Sequence, residues 1–318
     1  MTPVILGQIL GVAFACGLNL YGTVAALGLL SRLDIIQVPA GLQGLEGVIV
    51  IASALALYFI EAVLDRIPHA DTLWDSVHTF VRPPAAALLT AGLIWGFPTP
   101  VLVAGALLAF LAALAVHATK AGLRITLQTR GRDGRRWIST AEDVAAVAIA
   151  VAAFRLPLAA LAITAVLLAA LLLVGRRLWR AFGLGLRALV AWLRSIFIPS
   201  RWREADELPR DLRGLLDTPP LGAAAPRGAR AAVDGVAGTG AYRNGWLVLT
   251  DAGPVFLYRT LLGSRRVDLP HPASIDVVRG GWAHAMHLAA DPGSYTVYLL
   301  RDGPDVEVAI RNLSHHIR

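Results

Sequence analysis

Long apolar runs, broken by short polar clusters, fill the chain up to about residue 174. Beyond Pro199 the pattern gives way to loops and to residues that alternate in polarity. The segment Leu156 to Val174 is uncharged, and Val101 to Val116 with its flanks is similar. A buried soluble helix seldom exceeds about 14 apolar residues, whereas crossing a bilayer takes roughly 20. Six spans fit the pattern, at approximately 4–30, 46–65, 76–97, 100–123, 140–154 and 156–174. The fifth is short and opens on Glu142-Asp143, as a tilted or partly re-entrant segment would.

Residues 175–198 form an amphipathic helix in this reading. At 100° per residue, Arg176, Arg180, Arg187 and Arg194 fall within about 40° of one another. Trp179, Phe182, Leu186, Leu189, Leu193 and Phe197 take the opposite face. Arginines at anionic headgroups and apolar groups in the acyl boundary would hold such a helix flat on a membrane. The alternative is a helix packed on the soluble domain.

Residues 199–240 are rich in Pro, Gly, Ala and Arg and read as a linker, with a short helix near 209–216. Residues 241–318 then read as strands parted by turns: WLVLT, VFLYR, RRVDL, SIDVV, YTVYLL and VEVAI. The expected fold class is therefore an α-helical polytopic membrane bundle of about six spans, residues 1–174. A small β-rich soluble domain follows it, either a barrel or a pleckstrin-homology-like fold.

Composition adds a direction. The 318 residues are 56% hydrophobic and 16% charged, with mean hydropathy +0.61 and net charge +7. Arginines collect at 124–136 and again after residue 175, and short basic loops stay cytoplasmic. This places both termini in the cytoplasm of a bacterial inner-membrane protein, with the anionic bilayer as its partner and no nucleic acid implied. The N-terminus lacks a basic n-region and reads as a retained span. Cys16, the sole cysteine, excludes an intrachain disulfide and sits in an apolar run.

Between apolar runs lies EAVLDRIPHADTLWDSVHTFVR, carrying Glu61, Asp65, Asp71, Asp75, His78 and Arg82. Ionisable groups near membrane depth cost several kcal/mol, by rough insertion scales, unless they are paired or wet. Glu61 and Asp65, four apart, share a helix face, as do His117, Lys120 and Arg124. One constant offset sets Glu61 against Lys120 and Asp65 against Arg124. Each helix leads through a polar connection into the next, with Ser139, Glu142 and Asp143 in the second case. This charge pattern suggests two related hairpins with a site at their interface. Lys120 is the only lysine, where arginine fills every other basic position. A buried lysine can lose its proton and an arginine cannot.

The run CGLNLYGT, residues 16–23, interrupts the first span. Its glycines either let helices approach closely or flank a bent segment at Asn19 that lines the polar site. Solvated helix ends are the plain alternative for the charged residues. No tight metal signature appears among Asp65, Asp71, Asp75 and His78, so no metal or cofactor is assigned. Motifs for nucleophilic catalysis or phosphate binding are also missing.

These motifs together resemble an uncharacterised bacterial membrane family, the domain of unknown function 4126. The resemblance rests on GLNLYGT at 17–23, E-x-x-x-D-x-I-P at 61–68 and D-x-x-W-D-x-V-H-T-x-x-R-P at 71–83. H-x-x-K-x-x-x-R at 117–124 and S-x-x-E-D at 139–143 complete it, covering roughly residues 5–175. It implies a membrane protein without an established activity. Members usually have a shorter connection ahead of Ser139, where this chain carries Arg130 to Arg136.

The leading expectation is a transporter- or channel-like protein binding a polar solute or ion. Glu61 and Asp65 would take its cationic part or a proton, with Lys120 and Arg124 as counter-charges. A membrane scaffold whose β domain reads lipid or a partner is the alternative. A weaker one is an enzyme on a lipid-linked substrate, with Asp71, Asp75 and His78 as acid–base groups. Oligomeric state is left open.

Overall fold

The computed structural model describes residues 1–65, 67, 70–129, 135–198, 200–216, 225–280, 283–291 and 293–314. It divides into two compact units, Met1–Leu127 with Asp133–Phe182, and Gln128–Arg132 with Gly183–Arg318.

The first unit is helical: α1 Pro3–Leu18, α2 Leu20–Arg32, a 3-10 segment Ala40–Glu46, α3 Val48–Leu64, α4 Ala70–Leu93, α5 Thr99–Thr129, α6 Arg135–Arg155 and the start of α7, Pro157–Ser195. Pro3 and the Thr2 hydroxyl, which accepts from the Ile5 amide, open α1. From Ile9 to Gly17 every residue of α1 is buried, so this helix forms the core on which α4 and α6 pack. That close approach needs small residues: a Cβ on Gly11 would sit 2.7 Å from the Ala153 Cβ.

Among the described residues, one helical stretch is suited by length and composition to cross a membrane, Thr99–Leu127. The count rises to three if two bent pairs are each one span: Ala40–Glu46 with Val48–Leu64 (68°) and Pro157–Leu173 with Gly175–Ser195 (71°). Six straight spans are thus not what the described residues contain. The expected first span is two helices parted at Asn19, and the expected 76–97 and 140–154 segments belong to helices carrying the charged site. The 175–197 segment is helical to Ser195, but its buried face is Ala181, Leu184, Ala188 and Ala191.

The second unit holds an antiparallel sheet. Its strands are β1 Arg203–Glu204, β2 Arg227–Asp234, β3 Arg243–Thr250, β4 Gly253–Thr260, β5 Gly263–Asp268, β6 Ser274–Val278, β7 Ala283–Ala289 and β8 Ser294–Leu300. The order is β5-β4-β3-β2-β8-β7-β6, with β1 on β2. Two meanders therefore meet where the first strand of one pairs with the last strand of the other. Helix α9, Val306–Ser314, sets Val306, Ala309 and Leu313 into a core with Phe256, Met286, Leu288 and Leu299. The short helix α8, Arg210–Arg213, puts Leu212 with Leu208 on Trp246, Val248 and Leu257. Two expectations change. VEVAI is helix, and β2 lies inside the stretch read as linker, which leaves the β domain larger than residues 241–318.

Candidate functional site

The break between α1 and α2 organises the polar cluster. Asn19 is extended (φ −145°, ψ 103°), and its side-chain oxygen accepts from the Gly22 amide at 2.8 Å, capping α2. Its amide nitrogen donates to Asp143 at 2.7 Å, and the Tyr58 hydroxyl donates to the other oxygen of Asp143 at 3.1 Å. A carboxylate is thereby held at the positive end of a helix. At the other side of the break, the carbonyls that end α1 receive cations. Lys120 donates to the Leu18 oxygen at 2.7 Å, and Arg82 donates to the Leu18 and Gly17 oxygens at 3.1 and 3.3 Å. Both helix ends thus meet the charge that their dipoles favour.

Four more helices complete the network. Arg124 on α5 makes a two-pronged contact with Asp65, 2.7 Å on each arm, and reaches Glu142 at 3.1 Å and Asp75 at 3.4 Å. Ser139 donates to Asp65 at 2.8 Å. Lys120 lies 3.2 Å from Glu142 and 3.7 Å from Glu61. The pairs that the equal spacing suggests, Glu61 with Lys120 and Asp65 with Arg124, both form. The closest cation to Glu61, however, is Arg82, which bonds one of its oxygens directly. Helix α4 places Arg82 fully buried beneath α1, despite the two prolines that follow it.

One histidine, His117, touches Arg82, and a second, His78, ties α4 to Tyr21. An arginine can only donate, so the His117 Nδ1 facing Arg82 at 3.2 Å is the acceptor nitrogen. The Nε2 of His117 is then the donor to the Asp75 carbonyl at 2.9 Å. His78 reads the opposite way: Nδ1 donates to the Trp74 carbonyl at 2.8 Å, and Nε2 accepts from the Tyr21 hydroxyl at 2.9 Å. Its ring also lies 4.4 Å from that of Trp74. Phe182 meets His117 edge-on, and Trp179 donates to the Thr119 hydroxyl at 3.2 Å. Of the aromatic groups expected to face lipid, Trp179 and Phe182 thus touch α5, whereas Phe197 is 85% exposed. Arg176, Arg187 and Arg194 are exposed and Arg180 is half-buried, while the side chain of Asp71 lies outside the described residues, as do Arg130 and Arg132.

Among the described side chains, four carboxylates (Glu61, Asp65, Asp75, Glu142) share three cations (Arg82, Lys120, Arg124), and a fifth, Asp143, is held by Asn19 and Tyr58. Two buried carboxylate oxygens, Glu61 Oε2 and Asp75 Oδ1, accept no hydrogen bond among the described residues. No group of three His, Cys, Asp or Glu side chains converges there as metal ligands, again among the described residues. Tyr58 and Trp74 were not singled out from the sequence. Tyr58 stands at i, i+3 and i+7 with Glu61 and Asp65, a helical spacing that marks it.

A family model, "Domain of unknown function (DUF4126)", matches residues 6–177. The chain belongs to the DUF4126 family. Every member of the cluster, from Asn19 to Asp143, falls within the matched residues, whereas the β-sheet unit falls outside them. No curated protein and no solved structure matches this DUF4126 chain.

Proposed function

We propose that the helical unit is embedded in the bacterial inner membrane and is transporter- or channel-like, its charged cluster binding a proton or the cationic part of a polar solute. The unit is apolar outside and charged inside. Ile49, Phe59, Phe80, Leu88, Trp95 and Leu173 are exposed, while Glu61, Asp75, Arg82 and His117 are buried. Soluble proteins have the reverse arrangement, and in lipid this one is the favourable choice.

The observation that carries the reading is the interrupted helix. Discontinuous helices whose freed backbone groups and facing charges share one site are the usual way that membrane transporters hold ions at depth. The excess of carboxylates and the two open oxygens point to positive charge as the missing component. Asp65 is fully engaged by Arg124 and Ser139, so the binding role falls to Glu61 and Asp75 rather than to Glu61 and Asp65.

Infrared difference spectroscopy across pH tests this. The expected result is a protonated-carboxyl band in the wild-type protein that disappears in Glu61→Gln or Asp75→Asn. A spectrum without such a band at any pH, unaltered by either substitution, would defeat proton binding.

The direct ion pairs favour a second reading, in which the cluster holds the bundle together and the protein is a scaffold. It differs in one measurable respect: its variants lose stability but have no transport to lose.

A further inference from the structure

The β4–β5 hairpin breaks a local rule. Two-residue hairpin tips favour Asn, Asp and Gly, yet here Leu261 and Leu262 form the tip and Gly263 after them takes φ +126°. The leucines are 105% and 94% exposed, so no described residue covers them. A rule broken without compensating packing marks a place where function is exacted.

Basic groups surround the base of this tip. Residues alternate in facing along a strand, so Arg259 and Arg265 flank the leucines on opposite faces of the hairpin. A cavity of about 370 Å³ opens at the same end of the sheet, lined by Arg187, Arg243, Asn244, Trp246, Tyr258 and Arg259. The Asp211 carboxylate neutralises Arg259 through two contacts, and Arg243 lies over the Tyr258 ring, 5.3 Å from its centroid, while donating to the Thr239 carbonyl. That leaves the charges of Arg187 and Arg243 without an anion among the described residues.

We propose that this end of the C-terminal unit docks on an anionic bilayer, with Leu261 and Leu262 entering the acyl boundary and the arginine cavity holding a phosphate headgroup. Two leucines with a basic collar suit a surface that is apolar below and anionic above, and the chain's +7 charge has the matching sign. A protein groove would satisfy the leucines but gives the adjoining arginine cavity no role. The inference rests on the proposed membrane embedding of the helical unit, which would keep this tip close to lipid.

The test uses the full chain in nanodiscs, in a Cys16→Ser background, with an environment-sensitive fluorophore at Leu262→Cys. A second preparation carries the label at Asp251→Cys, in the turn at the opposite end of β4. In discs of equal parts phosphatidylglycerol and phosphatidylcholine, the tip label is expected to shift to the blue and to resist iodide quenching. The Asp251→Cys label should stay quenchable throughout. Phosphatidylcholine discs, or the Arg187→Gln/Arg243→Gln pair, should abolish the protection at the tip. A tip label equally quenchable in both lipid compositions overturns docking, and protection that ignores both lipid charge and the two arginines overturns the headgroup site. A chain that does not enter discs at all overturns the membrane placement together with this inference, a different failure from an incorporated chain with an exposed tip.

Discussion

Replacing Arg124 by Met should be among the most damaging single changes in the helical unit. Arg124 is buried and serves three carboxylates, with two arms on Asp65 at 2.7 Å and contacts to Glu142 and Asp75 at 3.1 and 3.4 Å. At 4 Å and an effective dielectric near 20, one unit pair is worth about 4 kcal/mol. Measured losses on removing one partner of a buried pair are about 3–5 kcal/mol, because the other charge is stranded. Methionine keeps much of the side-chain length but supplies no cation, so Asp65 would keep only the Ser139 hydroxyl. The Asp65→Asn change should cost less, since Arg124 keeps Glu142 and Asp75. The double variant should fall short of the sum of the singles, by a coupling of roughly 2–3 kcal/mol, the upper range for contacting residues. The assay is a double-mutant cycle on reversible unfolding in detergent micelles. Additivity within about 0.5 kcal/mol would refute the pairing argument.

Three further outcomes follow from the geometry. Asn19→Ala removes the cap of α2 and the bond to Asp143, and should cost about 1 kcal/mol for the cap alone, read as a lower Tm; an unchanged Tm would mean that the break is not held by this side chain. Gly122→Ala places a Cβ 2.0 Å from the Leu178 carbonyl oxygen, where backbone must move, so a loss of about 1–3 kcal/mol is expected and wild-type stability would refute the close approach. In the C-terminal unit, burial lowers the His284 pKa from its ordinary 6.5, with Arg301 adding to the effect and Asp305 opposing it. The folded state binds the proton less readily than the unfolded chain, so the stability that His284 contributes is complete above pH 6.5 and is lost as pH falls below it. Hydrogen exchange of β7 amides, corrected for intrinsic rates, should show that loss, and His284→Gln should flatten it.

The polar cluster was largely legible because helical spacing is a local property. Glu61 and Asp65, and Lys120 and Arg124, announce shared faces four residues apart, and their equal offset already pairs them. Arg82 with Glu61 was not legible, since that contact depends on how α4 crosses beneath α1 and no spacing within one helix encodes it. The role of Asn19 was half legible: a capping residue among glycines marks a break, but not which carbonyls Lys120 and Arg82 would then satisfy. In the C-terminal unit, VEVAI alternates over five residues, yet Val306, Ala309, Ile310 and Leu313 have helical spacing over eight, and the longer period prevailed. Strands β2 and β7 escaped notice because alanine and histidine carry little β preference. Their positions come from pairing partners, β3 and β8 for β2, β6 and β8 for β7.

The central claim is that the cluster at the broken helix moves a proton or a cationic solute across a membrane. The measurement that meets it most directly is flux in proteoliposomes, with an internal pH dye and a panel of cationic and zwitterionic solutes applied under an imposed gradient. Wild-type protein should dissipate the proton gradient, alone or with one solute of the panel, and Asp75→Asn should not, although circular dichroism at the assay temperature finds it folded. Liposomes carrying wild-type protein that stay as tight as empty ones across the panel would contradict the claim and leave the ion pairs with a structural role.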